Sequence, residues 1–182
     1  MTPTTRYPTH SHLARRAVIG LGVALLALAV AASTATLAAA KTKRVSVHSD
    51  GTQGDGRSYA RSTSNNGRYV TFISDATNLV NYDTNSVRDI FVHDRKTGKT
   101  ERVSKHSNGT EGNGSSFDPS ISGDGRIVAF TSNATNLVDD DTNGEADVFV
   151  HDRTTGKTER VSKHSNGDEG NGISFWSSIS GD

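Results

Sequence analysis

The chain has 182 residues, 20 basic and 20 acidic side chains, and no cysteine. Without cysteine there are no disulfides and no thiolate metal sites, so an exported domain of this composition must be held by packing or by bound ions. Removing Arg6, Arg15 and Arg16 of the opening segment leaves 17 basic against 20 acidic residues, a balance that argues against nucleic acid as a partner.

Residues 1–40 read as a secretory signal peptide. Three arginines precede an apolar run over 17–32, and Ala38-Ala39-Ala40 leads into Lys41, which are the basic, apolar and small-residue parts of a cleavable leader. An uncleaved anchor is the alternative, and only under it would the chain hold to a membrane. The apolar run is short for a span of about 20 residues. Arg15-Arg16 is followed by Ala17-Val18, a poor match to a twin-arginine address. The expected location is extracytoplasmic, whether secreted, periplasmic or cell-surface. Three glycosylation sequons, at Asn108, Asn113 and Asn133, matter only in a host that glycosylates its exports.

Beyond the leader the chain repeats itself. Residues 93–114 return at 151–172 with two differences, and Arg44-Val45-Ser46 stands 58 positions before Arg102-Val103-Ser104, which stands 58 before Arg160-Val161-Ser162. A fixed period of this length marks stacked copies of one supersecondary unit. Taking one period in chain order, the first extended segment is 116–122, with Pro119 placing it at a sheet edge because proline cannot donate to a ladder. Gly123-Asp124-Gly125 makes a tight turn, as Asn66-Gly67 does one copy earlier. The second segment, 126–132, is apolar on both faces and predicts a sheet covered on both sides. The third is 147–152. A turn at Gly156 leads to a polar outer segment over 157–163. The glycine-rich stretch 108–114 reads as a flexible connector, and no window after residue 40 has a helical period.

Four antiparallel strands per period predict an all-β chain of β-propeller blades. A β-solenoid fits less well, since its coils are shorter and lack internal hairpins. Residues 41–182 hold about 2.4 periods, fewer than the four to eight blades that close a ring. An incomplete propeller is therefore expected: a fragment, or a subunit whose copies associate to close the ring. Asp182 aligns with Asp124, inside the hairpin turn.

The run SFDPSISGDGRIVAF followed by DTNGEADVFVHDRTTG resembles the TolB-like propellers built from WD40-like repeats of the PD40 type. Their short Pro-x-x-Ser-x-Asp-Gly turn is matched by Pro119, Ser122, Asp124 and Gly125, and the resemblance covers nearly all of 42–182. It departs at Arg61 and Asn65-Asn66-Gly67 in the first copy and at Phe175-Trp176-Ser177 in the last. It implies an interaction platform. In the larger enzymes that carry such propellers, the catalytic groups lie on a separate domain.

The most chemically suggestive element is Asp-x-Asn-x-x-x-Asp, present as Asp83, Asn85, Asp89 and as Asp141, Asn143, Asp147. Oxygen ligands at the first, third and seventh positions of a tight loop suit calcium or another hard cation. An EF-hand is excluded, because Val87-Arg88 and Glu145-Ala146 replace the ligand and glycine it requires. Asp94 and Asp152 lie about 16 Å further along an extended strand and cannot share the ion. The competing reading is that these residues form Asx turns and bind no metal.

Other patterns carry less. Gly98-Lys99-Thr100 and Gly156-Lys157-Thr158 lack the leading glycine of a phosphate loop and precede strands. His48, His106 and His164, like His93 and His151, recur with the period, so separate blades point them to different places. There is no Gly-x-Ser-x-Gly elbow in the chain. The sequence reads as a non-catalytic, exported scaffold whose partner is a protein, glycan or cell-envelope component, with calcium as a stabiliser. Tyr59 and Trp176 are its candidate contact aromatics, with packing between blades as the expected alternative. The rival reading is part of a propeller-containing hydrolase or lyase whose catalytic residues lie outside the chain. A site at the ring axis would involve Arg61 and Asp118.

Overall fold

The computed structural model describes residues 41–181; the expected leader over 1–40 lies outside the described residues. Eight strands follow: β1 (Ser58–Thr63), β2 (Tyr69–Ser74), β3 (Asp89–Asp94), β4 (Thr100–Arg102), β5 (Ser116–Ile121), β6 (Ile127–Ser132), β7 (Asp147–Asp152) and β8 (Lys157–Arg160). They form two four-stranded sheets in the orders β1-β2-β3-β4 and β5-β6-β7-β8, with every neighbour antiparallel. Two stacked meanders of this kind are β-propeller blades. Among the described residues no helix is long and apolar enough to cross a membrane.

Local chemistry explains each blade. β2 and β6 are dense in β-branched and aromatic residues, which suit a pleated buried surface. The preceding turns close on side chains: Asn66 accepts from the Arg68 N–H at 2.9 Å, and Asp124 from the Arg126 N–H at 2.8 Å. Ser64 and Ser122 hold the next amide, at Tyr69 and Ile127. Asparagine and aspartate thus do the same work, so the first copy's departure from the family turn leaves the hairpin intact. Gly67 and Gly125 supply the left-handed backbone, at φ 64° and 79°. The fourth strand is shorter than its predicted 157–163: Val161 still bonds the Val148 carbonyl, but the Lys163 N–H then turns back to the Val161 carbonyl.

The shared core lies between the sheets. Ile73, Ile90 and Val92 of the first blade meet Ile121, Val128 and Phe130 of the second, joined by Leu137 and Phe149. A second cluster gathers Phe72, Ala76, Leu79 and Phe91. Coverage is uneven. All six residues of β3 are buried, whereas β7 alternates buried and half-buried. The expectation of coverage on both faces, made on 126–132, holds for β6 as for β2, each buried over its last five residues, and fails only at β7.

The connectors are fixed rather than flexible, a correction to the sequence reading. Lys105 and Glu111 form a β-bridge across the connector. The Thr158 hydroxyl donates to the Lys105 carbonyl at 2.5 Å, and the Thr158 N–H to the Ser107 hydroxyl at 2.9 Å. On the other side, Asn136 receives the Asn113 N–H at 2.9 Å. Glycine here allows tight turns, but each turn is tied by hydrogen bonds on both sides. At the inner ends, the equivalent positions Asn65, Gly123 and Gly181 meet: the Asn65 N–H donates to the Gly123 carbonyl and its Nδ2 to Gly181. A side chain at Gly123 would collide with both neighbours.

Candidate functional site

The Asp-x-Asn-x-x-x-Asp loops connect β2 to β3 and β6 to β7, and each places its last aspartate at the first residue of a strand. In the first blade, Asp83 and Asp89 converge with Glu111 of the connector on one nitrogen of Arg102. The three carboxylates stand 3.1, 3.2 and 2.9 Å from Nη1. In the second, Asp141, Asp147 and Glu169 surround Nη1 of Arg160 at 3.5, 3.5 and 2.7 Å. Both arginines belong to the recurring Arg-Val-Ser, and its serine completes the set. Ser104 donates to Asp89 at 2.5 Å and Ser162 to Asp147 at 2.6 Å.

Asn85 and Asn143 take a different part from the one expected of a ligand. Each turns its oxygen to the backbone, accepting from the Val87 or Glu145 N–H. Its Nδ2 donates to the last aspartate of the loop and to the Gly112 or Gly170 carbonyl. The asparagines therefore shape the Asx turn and tether the connector. The glutamates are anchored by Thr84 and Thr142, whose hydroxyls donate to them.

Charge is concentrated here. Burial, then the neighbouring Asp89 carboxylate, pushes the Asp83 carboxyl up to about 6. Burial likewise raises Asp89 and Asp141. Hydrogen bonds from Thr142 and the nearby Arg160 hold Glu169 below the ordinary carboxylate range. Neither oxygen of Asp141 has a hydrogen-bond partner, although both are buried. The cluster as a whole offers only hard oxygen donors, the set that suits a calcium-like cation.

Sequence reasoning missed Glu111, Glu169, Arg102 and Arg160. The signal was present, since all four recur at the 58-residue spacing, but they lie far in sequence from the loops they complete. Asp94 and Asp152 are engaged elsewhere, in paired bonds with Arg68 and Arg126. His93 and His151 are buried, each with Nδ1 at 2.9 Å from a threonine hydroxyl, Thr100 or Thr158. Those hydroxyl hydrogens go to the Val47 and Lys105 carbonyls, so the imidazoles donate from Nδ1.

A second group lies on β1, on β5 and on the segment after β8. Arg61 faces Asp118 at 3.6 Å. Asp118 and its equivalent Trp176 both have left-handed backbones, at φ 46° and 58°. Trp176 is 84% exposed and Tyr59 47% exposed, so the packing expected for these aromatics is not what the structure shows. Phe175 stands beside Trp176 with ring centroids 6.4 Å apart.

No protein-family model matches the chain, and no curated protein does. Among solved structures, it is similar to a protein described as TolB from Agrobacterium tumefaciens, at 23% identity and a TM-score of 0.41, over 60% of this chain and 31% of that one. It is also similar to TolB from Acinetobacter baumannii, at 21% identity and a TM-score of 0.37, over 58% and 21% of the two chains. A third similarity is to an oligogalacturonate lyase from Vibrio parahaemolyticus, at 10% identity and a TM-score of 0.21, over 58% and 40%. The chain thus spans well under two thirds of the length of each.

Proposed function

We propose that this chain is an exported, non-catalytic β-propeller scaffold that presents its inner-strand rim to a protein, glycan or cell-envelope component. The observation that carries the reading is the rim itself. Tyr59, Phe175 and Trp176 are exposed, and two rim positions, Asp118 and Trp176, hold left-handed backbones in non-glycine residues. Such conformations cost about 1–3 kcal/mol each and concentrate where a surface is shaped for contact. Exposed aromatic rings offer large apolar area at low entropic cost, whether to a sugar face or a protein groove.

Trp176 is the chain's single tryptophan, so its emission reports on the rim. Titration with soluble cell-wall glycan and with purified envelope proteins is expected to shift or quench that emission in one case, with binding weakened by Trp176→Ala. Unchanged emission and no binding by calorimetry across both panels would sink the proposal. Extracytoplasmic location is part of the same reading, supported by the leader, and is tested by fractionation of cells expressing the full chain. The Arg61–Asp118 pair supports a second reading, part of a hydrolase or lyase. Cleavage of a polysaccharide that is lost in Asp118→Asn would favour it.

A further inference from the structure

In the first blade Arg102 reaches all three carboxylates within 3.2 Å. In the second, Nη2 of Arg160 bonds the Asp140 carbonyl at 2.6 Å, and Nη1 stands 3.5 Å from both aspartates. The second cluster is the less satisfied of the two, since in the first only Oδ1 of Asp83 lacks a hydrogen bond. The Asp141 side chain is 1% exposed, yet neither of its oxygens receives a hydrogen bond. The cation that faces it, the Arg160 guanidinium at 3.5 Å, makes no hydrogen bond to it, and a closer cation would offset the cost of burial better.

We propose that Asp141, Asp147 and Glu169 form a calcium site, and that the Arg160 guanidinium holds the place when the ion is absent. One oxygen from each carboxylate lies within 4.8 Å of the others, and two calcium–oxygen bonds of about 2.4 Å span about that distance. Magnesium, with bonds of about 2.0–2.1 Å and strict octahedral demands, fits this spread less well. Three carboxylates face a single guanidinium charge, and a divalent cation in its place would neutralise two of the three. An ion also has a way in, because a cleft of about 450 Å³ lined by Asp140, Thr142, Arg160, Asp168 and Glu169 opens beside the cluster.

A guanidinium and a calcium ion cannot occupy one place, so calcium binding must displace Arg160. The ion would then tie the β6–β7 loop, through Asp141, to the first residue of β7 and to the connector carrying Glu169. The site is independent of whatever the rim binds.

The test is calorimetric titration of calcium into the metal-stripped full chain. One strong site per chain is expected. Arg160→Gln, which removes the competitor, should tighten calcium binding about tenfold or more, and Asp141→Asn should weaken it about tenfold or more. Asp83→Asn, in the first-blade cluster that Arg102 bridges within 3.2 Å, should leave the affinity unchanged. Affinity that falls in Asp83→Asn and not in Asp141→Asn would overturn the assignment, as would Arg160→Gln binding no more tightly than the wild type. Should a variant fail to fold, the wild type decides alone: a melting temperature identical in calcium, magnesium and EDTA overturns the site, and a rise specific to calcium supports it.

Discussion

The two blades are near copies in sequence and unequal in burial. β3 and β7 differ at one residue of six, Ile90 against Val148, yet β3 is buried along its whole length while β7 alternates. The cause is what lies across from each strand. Ile90 and Val92 pack into the shared core against Val128 and Phe130; Val148 and Val150 are only half-buried. The same contrast runs through the recurring Arg-Val-Ser, where Val103 is fully buried and Val161 is 47% exposed. In a repeat protein the intrinsic preference of a unit and the contribution of its interface are separate terms. Here strands that differ at one residue measure the interface by difference.

The largest effect that could break this comparison comes from a charge placed at the same point of each blade. Val92→Asp buries an unpaired carboxylate in the shared core and is expected to destabilise by about 3 kcal/mol or more. Val150→Asp faces partial solvent and should cost about 1 kcal/mol or less. Urea denaturation of the two variants checks it. Equal losses would mean that the two faces are equally covered.

The hairpin glycines give a smaller and cleaner contrast. Gly67 and Gly125 occupy the same turn with left-handed backbones. Around Gly67 a methyl group would meet only the end of the Arg95 side chain at 3.5 Å, so Gly67→Ala should cost about 1 kcal/mol for the backbone alone. At Gly125 the methyl would run into the Tyr69 ring. That ring is clamped by Arg68 and Arg153, whose guanidinium carbons lie 4.7 and 4.3 Å from its centroid. Gly125→Ala should therefore lose about 2–3 kcal/mol, measured as the difference in denaturation midpoint at constant m.

Next comes acid. Burial is the first cause that lowers His151, to about 4, against an ordinary value of 6.5; His93 is lowered in the same direction. An imidazole depressed in the folded state binds its proton more readily in the unfolded chain. The histidines' contribution is thus full above about pH 6.5 and falls as pH drops towards 4, while Asp83, raised to about 6, contributes in the opposite sense over the same window. Asp94, whose pKa is depressed by bonds from Arg68, adds a further loss at still lower pH, again because protonation favours the unfolded state. His151→Gln should flatten the fall between pH 6.5 and 4, seen in melting temperature against pH. If the variant keeps the wild-type slope, His151 is not its source.

Much of this was legible in the sequence, and the limits have physical causes. The strands, their order and the turn glycines are local: β-branched runs and left-handed turn residues state them within a few positions. The 58-residue period reveals the blade because each unit solves the same local problem. What escaped was set by distance. Glu169 reaches the Asp141 loop, and Arg160 the same point, only after the strands are paired. The connectors look flexible on their glycine content, and their rigidity comes from Thr158 and Asn136 in the next blade. Residue type placed Trp176 in a packed interface, but whether an aromatic is covered depends on what stacks against it.

The finest comparison concerns the two equivalent rim positions, Asp118 and Trp176. Both hold left-handed backbones, a conformation that costs an ordinary side chain about 1–2 kcal/mol and glycine nothing. At Trp176 the exposed ring returns little packing energy, so Trp176→Gly should leave the chain as stable or more stable by up to about 1 kcal/mol. At Asp118 the same change also removes the 3.6 Å pair with Arg61, which at this exposure is worth about 0–1 kcal/mol, so Asp118→Gly should be close to neutral. A melting temperature that rises in Trp176→Gly, together with weaker partner binding, would mark the ring as a group held for contact at a cost in stability. A fall would mean that the ring packs in solution, and the rim reading would lose its strongest support.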